Sequence, residues 1–310
     1  MSSDAIHSID SDNSTSDVED HDIERRIEDR VRYRQVHNNS SASTIKLVRP
    51  SSTHSTNNAT TAHTMDEFQR LKQQRAQLRH HNGKLFDGSN SPQNISTYGF
   101  LLGIICGGGI VFAMMCEPKW EIPQFGLFLA ALALFHFLEY LATALFNPDT
   151  LTLDSYLINH SPHYHAAHAA ALLEFVIEYY FLSSWKSFGL VNYFGLILVI
   201  IGQSSRTIAM FSARHNFSHH IADSKDEDHV LVTHGIYSII RHPSYFGFFW
   251  WAIGIQFLLL NPICLALFVY WLHRFFDERI AYEEYTLLRF FGDEWTNYKA
   301  KTPTWMPLIP

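Results

Sequence analysis

His, Tyr and Ser crowd the segment HVLVTHGIYSIIRHPSY at residues 229–245, with Gly235, Pro243 and Gly247 shaping the backbone around them. Such side chains donate and accept hydrogen bonds, and the tyrosines add aromatic faces. Further along, Arg279 and Glu283 stand four apart just after an apolar stretch. Taken alone, that pair reads as a helix-surface ion pair worth about 0.3 kcal/mol. Tyr237, Tyr245, Trp250 and Trp251 read first as interfacial anchors, and His242 before Pro243 can simply end a helix. Glu174 and Glu178 are also four apart, but inside an apolar run. Carboxylates there mark either a functional site or a hydrogen bond to a neighbouring helix. His160, His163, His165 and His168 lie close together without the spacing of a metal motif, so no metal is expected.

The elements that must position these residues are apolar helices. Asn261-Pro262 interrupts the apolar run after Tyr245, leaving two short halves that turn back as a hairpin. The segments on either side of a hairpin emerge together, which would bring Arg241–Tyr245 near Arg279, Glu283 and Glu284. Upstream, spans are expected over about 96–116, 123–146, 166–182 and 188–212. The chain therefore reads as an all-α integral membrane protein with about six transmembrane helices, the last two a short hairpin. Gly107-Gly108-Gly109 lies inside the first span, where small residues let another helix approach closely, and it is a candidate homodimer surface. Lys and Arg are sparse in the turns at 117–123 and 183–187. Arg206, Arg214, Lys225, Arg241, Arg274, Arg279, Arg289, Lys299 and Lys301 gather on the other side. That bias places both termini and the C-terminal motifs in the cytosol.

The chain has 310 residues, and its mean hydropathy of −0.06 conceals a sharp division. Residues 1–92 are polar and low in complexity, and read as a disordered cytosolic tail. Within it, 22–34 could form a transient helix, and 65–81 could lie on a membrane surface. Residues 93–310 form the membrane domain. A net charge of −7 without a basic stripe argues against nucleic acid as a partner. Cys106, Cys116 and Cys264 lie in or beside apolar runs without metal or disulfide spacing, as small buried hydrophobes do.

In combination these segments resemble the isoprenylcysteine carboxyl methyltransferase family, membrane enzymes that use S-adenosylmethionine. The resemblance is carried by HVLVTHGIYSIIRHPSY at 229–245, GIQFLLLNPIC at 254–264, RFFDERIAYEEYTLLRFFGDEWTNY at 274–298 and the PTWMPLIP ending. LDSYLINHS at 153–161 and LLEFVIE at 172–178 extend it, so that it covers about 97–310. It implies a multi-pass protein of the endoplasmic reticulum membrane acting on prenylated protein C-termini, farnesyl or geranylgeranyl. It also implies a cofactor site formed by His229, Val230, Leu231, Val232, Tyr237, His242, Pro243, Ser244, Tyr245 and Glu283. Ala222 joins that site at a position where relatives often carry Gln, a change without consequence if the contact is through the backbone. Arg279 would bind the substrate carboxylate.

Elementary chemistry agrees with this assignment. An α-carboxylate with an ordinary pKa of about 3.5 is ionised at neutral pH and needs no base to attack a methyl sulfonium. Alignment is then the main task, Arg279 can fork onto a carboxylate, and Tyr237 and Tyr245 can face a cation. Glu283 would accept hydrogen bonds from the cofactor's ammonium or hydroxyl groups. Three other readings compete. A phospholipid-amine methyltransferase gives Arg279 no purpose. A sterol-reductase-like enzyme would bind NADPH and need more spans. A transporter or receptor using Glu174 and Glu178 leaves the clustered C-terminal motifs unexplained.

Overall fold

Proline sets where most of the helices begin. A computed structural model describes residues 85–115, 122–225 and 228–309; the expectations for 22–34, 65–81 and Cys116 lie outside the described residues. The helices are α1 (Pro92–Met115), α2 (Pro123–Phe146), α3 (Pro162–Phe181), α4 (Leu190–Ala213), α5 (Pro243–Leu259), α6 (Pro262–Phe291) and α7 (Asp293–Lys299). All but α4 and α7 start on a proline, whose fixed φ suits a first helical turn and whose missing N–H costs nothing there. Short 3-10 turns connect them, and the only strand-like pairing among the described residues is an isolated bridge between Met306 and Ile309.

Three described helices are long and apolar enough to cross a membrane by length and composition: α1, α2 and the run Leu190–Asn216 that contains α4. Phe100, Ile104, Val111, Phe194 and Ile197 on these helices are exposed, as side chains that face lipid are. The inner faces meet in a core of Phe128, Phe135, Phe175, Val199, Trp251, Ile255 and Leu258, drawn from α2, α3, α4 and α5. The chain is therefore an all-helical integral membrane protein.

The hairpin expected at Asn261-Pro262 forms, but its arms are unequal. α5 has 17 residues and α6 has 30. No breaker interrupts α6 between its apolar start and Gly292, so the helix runs unbroken through the charged segment. Leu260 turns the corner in the left-handed region at φ 56, a strained place for a bulky residue. Lys186 holds this corner by donating to the carbonyls of Leu259 (2.9 Å) and Leu260 (2.7 Å) and to Asn261 Oδ1 (3.0 Å). Glu178 pairs with the same ammonium at 2.6 Å. Glu174 accepts the backbone N–H groups of Ile263 (2.7 Å) and Cys264 (2.6 Å) at the start of α6. The two carboxylates singled out in the sequence are thus helix-terminal partners: an anion meets the N-terminus of α6, and a cation meets the C-terminus of α5.

α4 and α5 touch backbone to backbone. A Cβ on Gly247 would lie 2.6 Å from both Arg206 N and Gly202 O, and one on Gly254 would lie 2.8 Å from Gly195 O. In the same way Gly109 of α1 faces Gly126 of α2, whereas Gly107 and Gly108 have open space in front of them. Of the expected small-residue triplet, only Gly109 serves packing within the described fold.

Two outcomes follow for stability in detergent. Gly247→Ala should lower the thermal midpoint sharply, at a cost of about 2 kcal/mol or more from overpacking, while Gly108→Ala stays near wild type. A melt in which the two variants behave alike would contradict the contact. Glu174→Ala should cost about 2 kcal/mol by stripping the first-turn amides of Ile263 and Cys264 of their acceptor, yet leave the affinity for the methyl donor that the family resemblance implies within about twofold. Loss of donor binding at unchanged stability would return Glu174 to the list of site residues.

Candidate functional site

The site is built where the start of α5 meets the far half of α6. Arg241 and His242 sit just before α5, and both reach Glu284 on α6: Arg241 Nε donates to Oε1 at 2.7 Å and His242 Nε2 at 3.1 Å. Lys299 of α7 pairs with Oε2 of the same carboxylate at 2.6 Å. The C-terminal segment closes the joint. Arg241 donates through its backbone N–H to Pro303 O (2.9 Å) and through Nη1 to Thr302 O (2.7 Å), and Trp305 Nε1 donates to Ile239 O (3.1 Å). Tyr298 Oη donates to Tyr237 O at 2.7 Å. These bonds satisfy backbone groups in an irregular segment that makes no ladder of its own.

In front of this joint lies a cleft of about 880 Å³, counted with its open mouth. Ala222, His229, Val230, Leu231, Val232, Tyr237, His242, Pro243, Ser244, Tyr245 and Glu283 all line it. The segments 217–222 and 229–232, the turn at Gly235–Ser238 and the first turn of α5 form one wall, and Glu283, Thr286, Leu287 and Phe290 of α6 form the other. His242 and Tyr245 stack with ring centroids 5.6 Å apart. Burial pushes the Tyr237 phenol above its ordinary pKa, and the charge of Glu283 pushes in the same direction; the group stays a protonated donor. Ala222 lines the cleft from the connector.

Arg279 stands one turn before Glu283, beside the cleft, and is not among its lining residues. Its Nε donates to Tyr245 Oη at 2.9 Å and its Nη2 to His219 O at 2.7 Å. The guanidinium also lies 5.2 Å from the centre of the Tyr245 ring. Arg279 is therefore tied into the cleft wall, and a helix-surface ion pair with Glu283 does not describe its contacts.

A methyl donor of the S-adenosylmethionine type can be tested against one feature of this cleft. Glu283 Oε2 is buried and has no hydrogen-bond partner among the described residues; His242 Nδ1 is 3.7 Å away, beyond bonding distance. A carboxylate oxygen accepts only, and an orphaned buried acceptor is costly. A ligand that brings ammonium or hydroxyl donors fits this acceptor oxygen, and the apolar walls at Val230, Leu231 and Phe290 fit a flat ring or alkyl chain.

Sequence reasoning missed three residues here. Glu139 of α2, with no solvent exposure, receives Arg206 Nε on Oε1 (2.5 Å) and Arg206 Nη2 on Oε2 (2.8 Å). Arg206 Nη1 donates to Ser244 Oγ at 2.9 Å, and His219 Nε2 donates to Glu139 Oε2 at 2.8 Å. The signal was present, because a carboxylate and a guanidinium within two apolar spans must find each other.

Comparison with known proteins follows the same segments. Residues 195–289 match the model of the isoprenylcysteine carboxyl methyltransferase (ICMT) family. The chain is 44% identical over 226 residues to the protein-S-isoprenylcysteine O-methyltransferase of Saccharomyces cerevisiae, covering 71% of this chain and 93% of that one. It is 41% identical over 208 residues to the Homo sapiens protein of the same name, covering 67% and 72%. A solved structure of the eukaryotic intramembrane Ras methyltransferase ICMT without a monobody superposes with a TM-score of 0.68 at 35% identity, covering 82% of this chain and 88% of that one. With a membrane-helical fold, a cleft formed by the matched segments and relatives at 41–44% identity covered over 72–93% of their length, the chain belongs to the isoprenylcysteine carboxyl methyltransferase family.

Proposed function

We propose that this protein transfers a methyl group from S-adenosylmethionine to the C-terminal carboxylate of isoprenylated cysteine on prenylated proteins, forming a methyl ester. The observation that carries the reading is a fixed guanidinium at the edge of the cleft: Arg279, tied to Tyr245 and to the His219 carbonyl, one turn before Glu283. The donor supplies an electrophilic methyl carbon on a sulfonium. The acceptor carboxylate is ionised at neutral pH, so no residue has to remove a proton, and the work of the chain is to align the two reactants. With Nε and Nη2 engaged, Arg279 meets the carboxylate through Nη1. A grip on that edge orients the nucleophile without saturating its charge. Glu283, His242 and Tyr237 hold the donor's polar groups, Val230 and Leu231 pack against its apolar parts, and Ala222 contributes through its backbone.

The prenyl chain enters between helices from the bilayer, where each buried CH2 contributes about 0.8 kcal/mol. Six spans, α1 to α6, fit this scheme. The Lys186 and Leu260 corner lies at one end of α5 and the cleft at the other, and Arg241, Arg279 and Lys299 gather at the cleft end, as cytosolic ends do. Both termini and the cleft then face the cytosol from the endoplasmic reticulum membrane, with residues 1–92 as a cytosolic tail. For self-association we assign the open face of α1 around Gly107 and Gly108. Esterification removes a negative charge next to an anionic leaflet and so strengthens membrane binding of the product.

Membranes containing the protein, supplied with labelled S-adenosylmethionine and N-acetyl farnesylcysteine, should form a base-labile methyl ester. Arg279→Ala should lower kcat/KM for the acceptor by about 100-fold. Equal ester from both proteins would remove Arg279 from the acceptor site, and no ester from folded, donor-binding wild type would overturn the reaction. Glu283→Gln should weaken donor binding by about tenfold, since the amide replaces one charged acceptor with a donor; unchanged binding by calorimetry would remove Glu283 from the donor site.

A further inference from the structure

One carboxylate outside the cleft touches both halves of it through single intermediaries. Glu139 lies within α2, fully buried. Its Oε1 receives Arg206 Nε, and its Oε2 is shared by Arg206 Nη2 and His219 Nε2, both at 2.8 Å. The Arg206 guanidinium lies beside the rings of Phe135 and Phe248, 5.4 and 5.7 Å from their centres, and passes the constraint to Ser244 Oγ in the donor wall. His219 belongs to the irregular connector after α4, and its backbone carbonyl is the acceptor that holds Arg279 Nη2 at 2.7 Å. The nearest other tether on that side is Asn147 Nδ2 to Phe217 O at 3.1 Å. The position of His219, and with it the direction of the Arg279 guanidinium, is therefore set by a rigid span.

We propose that Glu139 is a positioning residue that couples the donor wall to the acceptor guanidinium, through Arg206 to Ser244 on one side and through His219 to Arg279 on the other. This inference rests on the assigned methyl transfer to a prenylcysteine carboxylate. A carboxylate that served only to neutralise Arg206 would need no link to the connector. His219 supplies that link from a side chain still 27% exposed, which could have turned to water. Since in-line transfer depends on the angle between nucleophile and methyl carbon, a common anchor for the two walls fixes what the reaction is most sensitive to.

The test uses the full-length protein in detergent with lipid, S-adenosylmethionine and N-acetyl farnesylcysteine. His219→Ala keeps the backbone carbonyl but frees it from Glu139. It should raise the acceptor KM about tenfold while the donor dissociation constant stays within about twofold. His219→Gln, whose side-chain amide can again donate to Glu139, should bring the acceptor KM back toward wild type. Glu139→Ala, which removes the acceptor outright, should weaken both substrates, and adding His219→Ala to it should raise the acceptor KM no further, because the link is already broken. An acceptor KM for His219→Ala within about twofold of wild type would overturn the coupling, as would a multiplicative double variant or a Gln substitution as poor as Ala. If Glu139→Ala fails to fold, the His219 pair decides alone. Absence of ester from wild type would instead overturn the assigned reaction, and the coupling with it.

Discussion

Everything at the cleft depends on how closely α4 and α5 approach. Gly195 and Gly202 on one helix meet Gly254 and Gly247 on the other, with backbone where side chains would ordinarily stand. In lipid no hydrophobic drive pushes helices together, so association relies on dispersion over such close surfaces. The same approach places Arg206, one turn beyond Gly202, against the start of α5, where Ser244 can accept from it. A bulkier residue at any of the four positions would separate the helices and withdraw the guanidinium from the wall it supports.

Among the described residues, fully buried charge lies at the two ends of the α5–α6 hairpin, and at both ends it has a geometric task. At the corner, Lys186 and Glu174 complement opposite helix termini, which lets a leucine occupy the left-handed region. At the cleft end, Glu139 with Arg206 ties α2 to α4, and Glu284 with Arg241 ties α6 to the chain before α5. Such pairs contribute little net stability over well-packed apolar residues, but removing one partner costs about 3–5 kcal/mol by stranding the other charge. They are better understood as fixing position. The contrast with Glu283 is informative: beside carboxylates whose oxygens are bonded, its Oε2 has no hydrogen-bond partner among the described residues.

Much of this was legible in the chain. The apolar runs and the Asn-Pro break gave the first four spans to within about four residues, although Pro92, Pro162 and Pro243, which open α1, α3 and α5, were not read as helix starts. The hairpin reading brought RHPSY to Arg279, Glu283 and Glu284, as the contacts of Arg241, His242 and Tyr245 show. Other readings needed the fold. Glu174 and Glu178 looked equally suited to a site or to packing, and only the position of the Leu260 corner decides for packing. The second arm was expected to be short, yet α6 has 30 residues, since nothing in the charged segment stops a helix that α7 and the C-terminal strap hold in place.

By itself, then, the sequence determined what local rules control: which segments are helical, where they start, that they are too apolar for water, and which residues stand at the hairpin mouth. Pairing across long separations was decided by tertiary structure. Glu139 meets Arg206 and His219 across 67 and 80 residues, and Arg279 finds Tyr245 and the His219 carbonyl rather than its helical neighbour Glu283. The physical reason is that a buried charge must be paired, but nothing local names its partner. That choice falls to the helix crossings, and these are set by four glycines whose spacing acquires meaning only once the two helices are laid together.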